Sequence, residues 1–184
     1  QHSVQYPEKP LPIDPYTLGL LLGDGSIVKS TNSKVPITQL PEDMEEISKY
    51  IPYTIHKHNT RRNVDYVIDI PNCRDIFTEL ELIDKRSGDK FIPDIYKYNS
   101  ENNRLSVLNG LLDTDGTISK DYGVIEFSSK SIRLIQDTAW LCRSLGINCK
   151  YTSREIKGTK YYRLYIYIVA NDNRLFNLPR KKER

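Results

Sequence analysis

The chain has 184 residues, of which 38% are hydrophobic and 28% charged, and its net charge is +3. That length suits one domain, or two small halves sharing a core, and the longest apolar run falls far short of the roughly 20 residues a membrane span needs. No basic, apolar leader opens the sequence, and its three cysteines (Cys73, Cys142, Cys149) cannot all pair and form no C-x-x-C. A reducing, cytoplasmic setting without a zinc site is expected. The start at Gln1 rather than Met points to a piece of something longer.

In the first half, Pro15 with Asp14 as its cap predicts a helix to about Gly23, with Gly25 as its left-handed stop. Ser26–Lys29 and Lys34–Leu40 read as strands and Glu42–Tyr50 as a short helix. Tyr53–Lys57 and Val64–Ile70 read as a hairpin about the polar tip 58–63, and Asn72–Leu82 as a second helix.

The second half repeats this order. A helix from roughly Asn102 to Asp115 stops at Gly116, followed by strands Thr117–Lys120 and Val124–Ser128. Lys130–Leu145 is the clearest helix and closes at Gly146. Asn148–Arg154 and Tyr161–Val169 form a hairpin turning at Lys157-Gly158, and Asn171–Asn177 reads as a closing helix. In the last strand Leu164, Ile166 and Ile168 share one face and Arg163, Tyr165 and Tyr167 the other, leaving a polar, aromatic surface exposed.

Two apolar stretches, Leu18–Gly25 and Leu108–Gly116, read as one motif written twice, each a small helix with a central glycine and an Asp-Gly end. Asp24 and Asp115 stand 91 residues apart, so the motif opens each of two similar halves, here taken as 1–98 and 99–184. Gly19 and Gly23, like Gly110 and Thr114, are small residues four apart, a stripe on which two helix backbones can meet. Each acid lies at a helix C-terminus, where the helix dipole disfavours it, and two such acids brought together need a cation. Hard carboxylate oxygens suit Mg²⁺. An EF-hand loop would need a glutamate where Tyr122 stands. Basic clusters fall at matching places: Lys57, Arg61 and Arg62 in one half, Lys150, Arg154, Lys157, Lys160 and Arg163 in the other. This pattern fits a long polyanion.

The paired motifs resemble the signatures of LAGLIDADG homing endonucleases in their single-chain, two-motif form. The first copy departs from the pattern at Leu22, where the motif has its first aspartate, a position that is not the metal-binding acid. The ending Leu-Gly-Asp-Gly, the Lys90-Phe91-Ile92-Pro93 block, Leu11–Tyr16 and Phe176–Lys181 look like the endonucleases embedded in inteins. The resemblance implies an α+β fold of two αββαββα units, with the motif helices paired at a pseudo-twofold interface and two antiparallel sheets forming a DNA-binding saddle. It implies a monomer, nucleoid-associated when bound, that cuts double-stranded DNA at a long site with Mg²⁺ or Mn²⁺. Asp24 and Asp115 would bind the metal with the carbonyls of Gly23 and Thr114, and Lys90 would stand beside the scissile phosphate. For the second-half counterpart of Lys90, spacing nominates Lys181, 66 residues after Asp115 as Lys90 is after Asp24, whereas the local pattern offers Arg174. Lys57, Arg61, Arg62, Asp65, Lys150, Arg154, Lys160 and Arg163 would face DNA.

The rival reading is a silent DNA- or RNA-binding protein on the same scaffold, a maturase or regulator; retention of both acids favours the nuclease. Protein splicing needs a Cys or Ser at the first residue and a terminal His-Asn, which Gln1 and Arg184 do not supply.

Overall fold

The computed structural model describes residues 2–28, 32–59, 64–119, 123–167 and 173–182. The first half runs α1 (Pro15–Asp24), β1 (Lys34–Thr38), α2 (Pro41–Ile47), β2 (Thr54–Asn59), β3 (Val64–Asp69), α3 (Cys73–Glu79) and a short α4 (Asp94–Lys97). The second runs α5 (Glu101–Asp115), β4 (Gly116–Ser119), β5 (Val124–Ser129), α6 (Ile132–Ser144), β6 (Asn148–Ile156), β7 (Thr159–Tyr167), a 3₁₀ turn (Asn173–Leu175) and α7 (Pro179–Lys182). The strands form two antiparallel sheets of order β1-β3-β2 and β4-β5-β7-β6, the α+β arrangement expected from the sequence.

The sheets differ at one edge for a chemical reason. Residues after α1 match β4 in position, yet among the described residues they meet β1 through a single bridge, Gly25 opposite Ile37, and the Ser26 amide donating to the Pro36 carbonyl at 3.0 Å. Pro36 has no N–H to return, so the expected strand at 26–29 does not develop over its described residues 26–28. The closing helix expected over 171–177 is reduced to the 3₁₀ turn, with 171 and 172 outside the described residues. The β6–β7 hairpin turns on Lys157 and Gly158, both at positive φ (49° and 75°), as a two-residue connection of this twist requires.

The centre of the molecule is the contact of α1 with α5. Asp14 caps α1 by accepting from the Thr17 amide at 2.8 Å, and Ser100 caps α5 through the Asn103 amide. A Cβ on Gly19 would lie 2.3 Å from the Val107 carbonyl, and one on Gly110 would lie 2.2 Å from the Tyr16 carbonyl. These backbones therefore touch, and Leu18, Leu20, Leu21, Leu108, Leu111 and Leu112 are buried around the contact.

Gly25 and Gly116 were expected to be left-handed stops, and they are not. Both are extended, with φ of −80° and −76°. A side chain is excluded by space instead: a Cβ would lie 2.6 Å from the Leu21 carbonyl or 2.5 Å from the Leu112 carbonyl as the chain leaves the helix directly into the sheet.

Each end of the described chain fastens onto the other half. The Val4 amide donates to the Ser144 carbonyl at 2.8 Å, and the buried Arg104 guanidinium binds the carbonyls of Val4, Asn99 and Ser144 while lying 5.2 Å from the Tyr6 ring. At the other end, Arg180 of α7 pairs with the buried carboxylate of Asp43 in α2.

Gly110→Ala is expected to destabilise the fold by about 1–3 kcal/mol, because the intruding methyl meets backbone that cannot rotate away. Gly88→Ala, with nothing within 4 Å of the new carbon, should be close to neutral. Urea unfolding of the two variants beside the parent checks the difference.

Candidate active site and nucleic-acid interface

Because α1 and α5 run side by side, their C-termini carry Asp24 and Asp115 to the same place. A Cβ on Gly23 would lie 2.0 Å from Thr114 Oγ1 and 3.2 Å from the Asp115 carboxylate. Both acids reach solvent at the rim of this junction.

The last carbonyls of each helix are satisfied by a lysine. Lys90 Nζ donates to the carbonyls of Leu21, Gly23 and Gly25 at 3.3, 3.0 and 3.1 Å. Lys181 Nζ donates to those of Leu112, Thr114 and Gly116 at 2.8, 3.3 and 2.8 Å, and to that of Asp113 at 2.7 Å. The two sets are related residue by residue by the same 91-residue offset that separates the acids. Arg174 lies elsewhere, acting on Glu101 in the first turn of α5, at the end of that helix opposite Asp115.

The Lys90 loop is held by the second half. Ser131 donates to the Lys90 carbonyl at 2.6 Å, Asp137 accepts from the Ile92 amide at 3.0 Å, and the Arg133 guanidinium lies over the Phe91 ring. The Lys181 segment is held by Asp113, a buried acid to which sequence reading gave no role. Its carboxylate accepts from the Tyr16 hydroxyl at 2.8 Å and from the amides of Asn177 and Leu178. Asp113 thus ties both helices and the C-terminal segment together, where the first half has Leu22 in the apolar core.

The electrostatics follow from this crowding. Desolvation, and then the negative charge of Asp24, push the Asp115 carboxyl up to about 6, against the pull of Lys90 and Lys181. Desolvation also raises Asp24, opposed by a hydrogen bond from the Gln39 amide and by the same two lysines. Burial lowers Lys90, offset by Asp115 and Asp24, and brings Lys181 down to about 8. Gln39 is a further contact that the sequence reading missed, and so is Lys130, which lines a cleft beside Lys90 and Asp115.

The strand faces sort the expected DNA contacts. On β7, Arg163, Tyr165 and Tyr167 turn away from the core while Leu164 and Ile166 are buried in it. By register, Lys150 lies opposite Tyr165, Arg154 opposite Tyr161 and Thr152 opposite Arg163, so Lys150, Arg154 and Arg163 share the open face. Glu126 joins them through an ion pair with Arg163 at 2.9 Å. Lys160 alternates onto the helix side with Tyr162. In the first sheet Asp65 is on the open face, bonded to Thr38 at 2.9 Å. Lys57 pairs with the buried Tyr66 and so leaves from the helix side, giving its place on the open face to His56, opposite Val67. Arg61 and Arg62 lie outside the described residues.

Known proteins share this architecture. Residues 102–176 match the model of the LAGLIDADG-like domain. The homing endonuclease I-DmoI, solved in complex with DNA and Ca, superposes with a TM-score of 0.57 at 16% identity, over 94% of this chain and 95% of that one. The chain has the LAGLIDADG fold. Full-length DUF199/WhiA from Thermatoga maritima is similar too, with a TM-score of 0.55 at 14% identity over 91% of this chain and 56% of that one. In sequence, the chain is 30% identical over 188 residues to the replicative DNA helicase DnaB of Mycobacterium intracellulare, a match that takes in 99% of this chain and 28% of the helicase.

I-DmoI was solved with DNA and Ca or Mn, and the donors present in this chain fit a divalent ion of the hard-oxygen kind. Two carboxylates, close enough for the charge of one to raise the other, adjoin the carbonyls of Gly23 and Thr114. Each carbonyl keeps a second lone pair beside its bond to lysine. No cluster of three or more His, Cys, Asp or Glu residues is found among the described residues, so the remaining ligands would come from water and substrate oxygens.

A carboxyl whose pKa is raised by folding weakens the fold most above its folded pKa, and the cost fades as pH falls from about 6 towards the unfolded value near 4. Asp115→Asn is therefore expected to raise the melting temperature at pH 7.5 in metal-free buffer and to gain little at pH 4.5. Thermal scans at the two pH values check both the sign and the window.

Proposed function

We propose that this chain is a site-specific endonuclease that cuts double-stranded DNA with Mg²⁺ or Mn²⁺, working as a monomer and carried within an intein. The observation that carries this reading is the meeting of Asp24 and Asp115 at adjoining helix ends, each end collared by its own lysine. Both I-DmoI and WhiA share the fold, so the fold alone does not choose between cutting and binding; the retained pair of acids favours cutting. Further support comes from the I-DmoI complexes with DNA and Ca or Mn. The embedded setting is supported by the match to 28% of a helicase and by the absence from this sequence of a Gly-x-x-x-x-Gly-Lys-Ser/Thr phosphate loop.

Hydrolysis adds water to phosphorus and expels the 3′ oxygen, passing through a state with extra negative charge. A divalent ion held by Asp24, Asp115 and the adjoining carbonyls would polarise the phosphate and supply an activated water. Lys90 and Lys181, preorganised and partly desolvated, would stabilise the charge that develops on phosphate oxygens. One acid per half gives one cut per strand. The open faces bearing Lys150, Arg154, Arg163 and Asp65 would hold the duplex, the cations mostly on phosphate and the acid on base edges.

Cleavage of a randomised duplex library with Mg²⁺, followed by sequencing of the ends, tests the reading. Double-strand ends at one long site are expected from the parent, with the rate reduced at least about a hundredfold in Asp24→Asn and in Asp115→Asn. Cutting that survives in both variants would overturn the assignment. Enrichment of one sequence by a parent that never cuts it would make the protein a DNA-binding regulator instead.

A further inference from the structure

The second half carries a pair of thiols that the site above does not use. Cys142, near the end of α6, is fully buried, whereas Cys149 is half-buried in β6, an edge strand of the second sheet. By register Cys149 stands opposite the buried Ile166, so its side chain leaves the sheet on the helix side. The chain turns back at once after α6, because the amides of Leu145 and Ile147 both donate to the Cys142 carbonyl, at 3.1 and 2.9 Å. Strand β6 therefore starts against the helix it has just left. There Cys149 Sγ donates to the Ala139 carbonyl at 3.5 Å. Ala139 and Cys142 lie three residues apart on one face of α6, so this contact sets Cys149 beside Cys142, and the two thiols are hydrogen-bonded to each other. The third thiol is placed otherwise: Cys73 is buried in the first half and donates to the Asn32 carbonyl at 3.3 Å.

We propose that Cys142 and Cys149 are a redox modification site, which hydrogen peroxide converts reversibly into a disulfide between α6 and β6. The two thiols are unequal in the way such a reaction needs. The hydrogen bond from Cys142, against partial burial, and then the charge of Arg143 hold the Cys149 thiol below the usual thiol range. The same bond, with full burial, holds Cys142 well above it. The more acidic thiol is also the one that reaches solvent, and the thiolate is the nucleophile. Its attack on the peroxide forms an S–O bond and breaks the O–O bond, and the hydroxide that leaves takes up a proton as water. The Cys142 sulfur then attacks the Cys149 sulfur. The S–S bond forms, and the S–O bond breaks with the hydroxyl and the Cys142 proton leaving as a second water. Two thiols and one peroxide thus give one disulfide and two waters, and exchange with a small thiol in a reducing setting resets the pair. Cys73 stays out, kept protonated by burial and by the charge of Asp69. The bond ties the edge strand that carries Lys150 and Arg154 to the helix that, through its Ser131 cap and Asp137, holds the Lys90 loop. Oxidation therefore braces the second half alone.

The test treats the reduced, folded 184-residue protein with hydrogen peroxide in buffer containing a chelator. The parent is expected to lose two hydrogens in mass, to fall from three free thiols to one, and to yield a cross-linked peptide joining Cys142 to Cys149. Dithiothreitol should restore all three thiols. Cys149→Ser should react at least about tenfold more slowly than the parent. Cys142→Ser should stop at a sulfenic acid on Cys149, captured by dimedone. The parent's peptide map decides by itself, so a variant that fails to fold does not blunt the test, and none of these readouts depends on DNA cleavage. Survival of all three thiols in the parent, a gain of oxygen without the cross-link, a link through Cys73, or disulfides between separate copies would each overturn the site.

Discussion

Everything at the site depends on two helix backbones touching without side chains between them. Gly19 and Gly110 each leave room that a single carbon would fill, with carbonyl oxygens about 2 Å from where it would stand. That proximity is what makes the termini of α1 and α5 converge, and with them the acids and the last carbonyls of both helices. Two helix C-termini, each with its partial negative charge, and two carboxylates are thereby concentrated in one small volume. Such an arrangement is unfavourable until positive charge is supplied. The protein supplies part of it with Lys90 and Lys181, and on the proposed reading a divalent ion supplies the rest.

The lysines carry two kinds of work at once. A helix that ends in a left-handed glycine closes its own carbonyls; these helices do not, because Gly25 and Gly116 are extended and lead straight into the sheets. The open carbonyls are closed from outside by an ammonium on a segment distant in sequence. The segments carrying those ammoniums are in turn pinned, that of Lys90 by Ser131 and Asp137 of the second half and that of Lys181 by Asp113 of α5. Helix termination, loop position and the charge of the site are thus one set of hydrogen bonds.

Much of this was legible in the sequence, and the reasons are local. The repeated motif, the Asp14-Pro15 start, the Lys157-Gly158 turn and the alternation of Arg163 to Tyr167 each encode a conformation within a few residues. The spacing of 66 that singled out Lys181 is matched by equivalent hydrogen bonds in the two halves. What was not legible depends on partners distant in sequence. Pro36 ends a ladder only because of the strand it faces. Lys57 and Lys160 look like their basic neighbours until register places them on the other face. Asp113 reads as part of a motif and becomes an anchor only when residues 177 and 178 come back to meet it. Gln39 and Lys130 carry no motif, yet the same offset that paired the acids would have paired them.

The reciprocal fastening of the two ends has a mechanical consequence. The N-terminal segment is gripped by Arg104 and Ser144 of the second half, and α7 is gripped by Asp43 of the first. A pull on either end is therefore borne first by these bonds to the opposite half, before it reaches the α1–α5 contact. The glycine seam that brings the two carboxylates together is thus shielded from tension at either end, because the Arg104, Ser144 and Asp43 contacts must give way first.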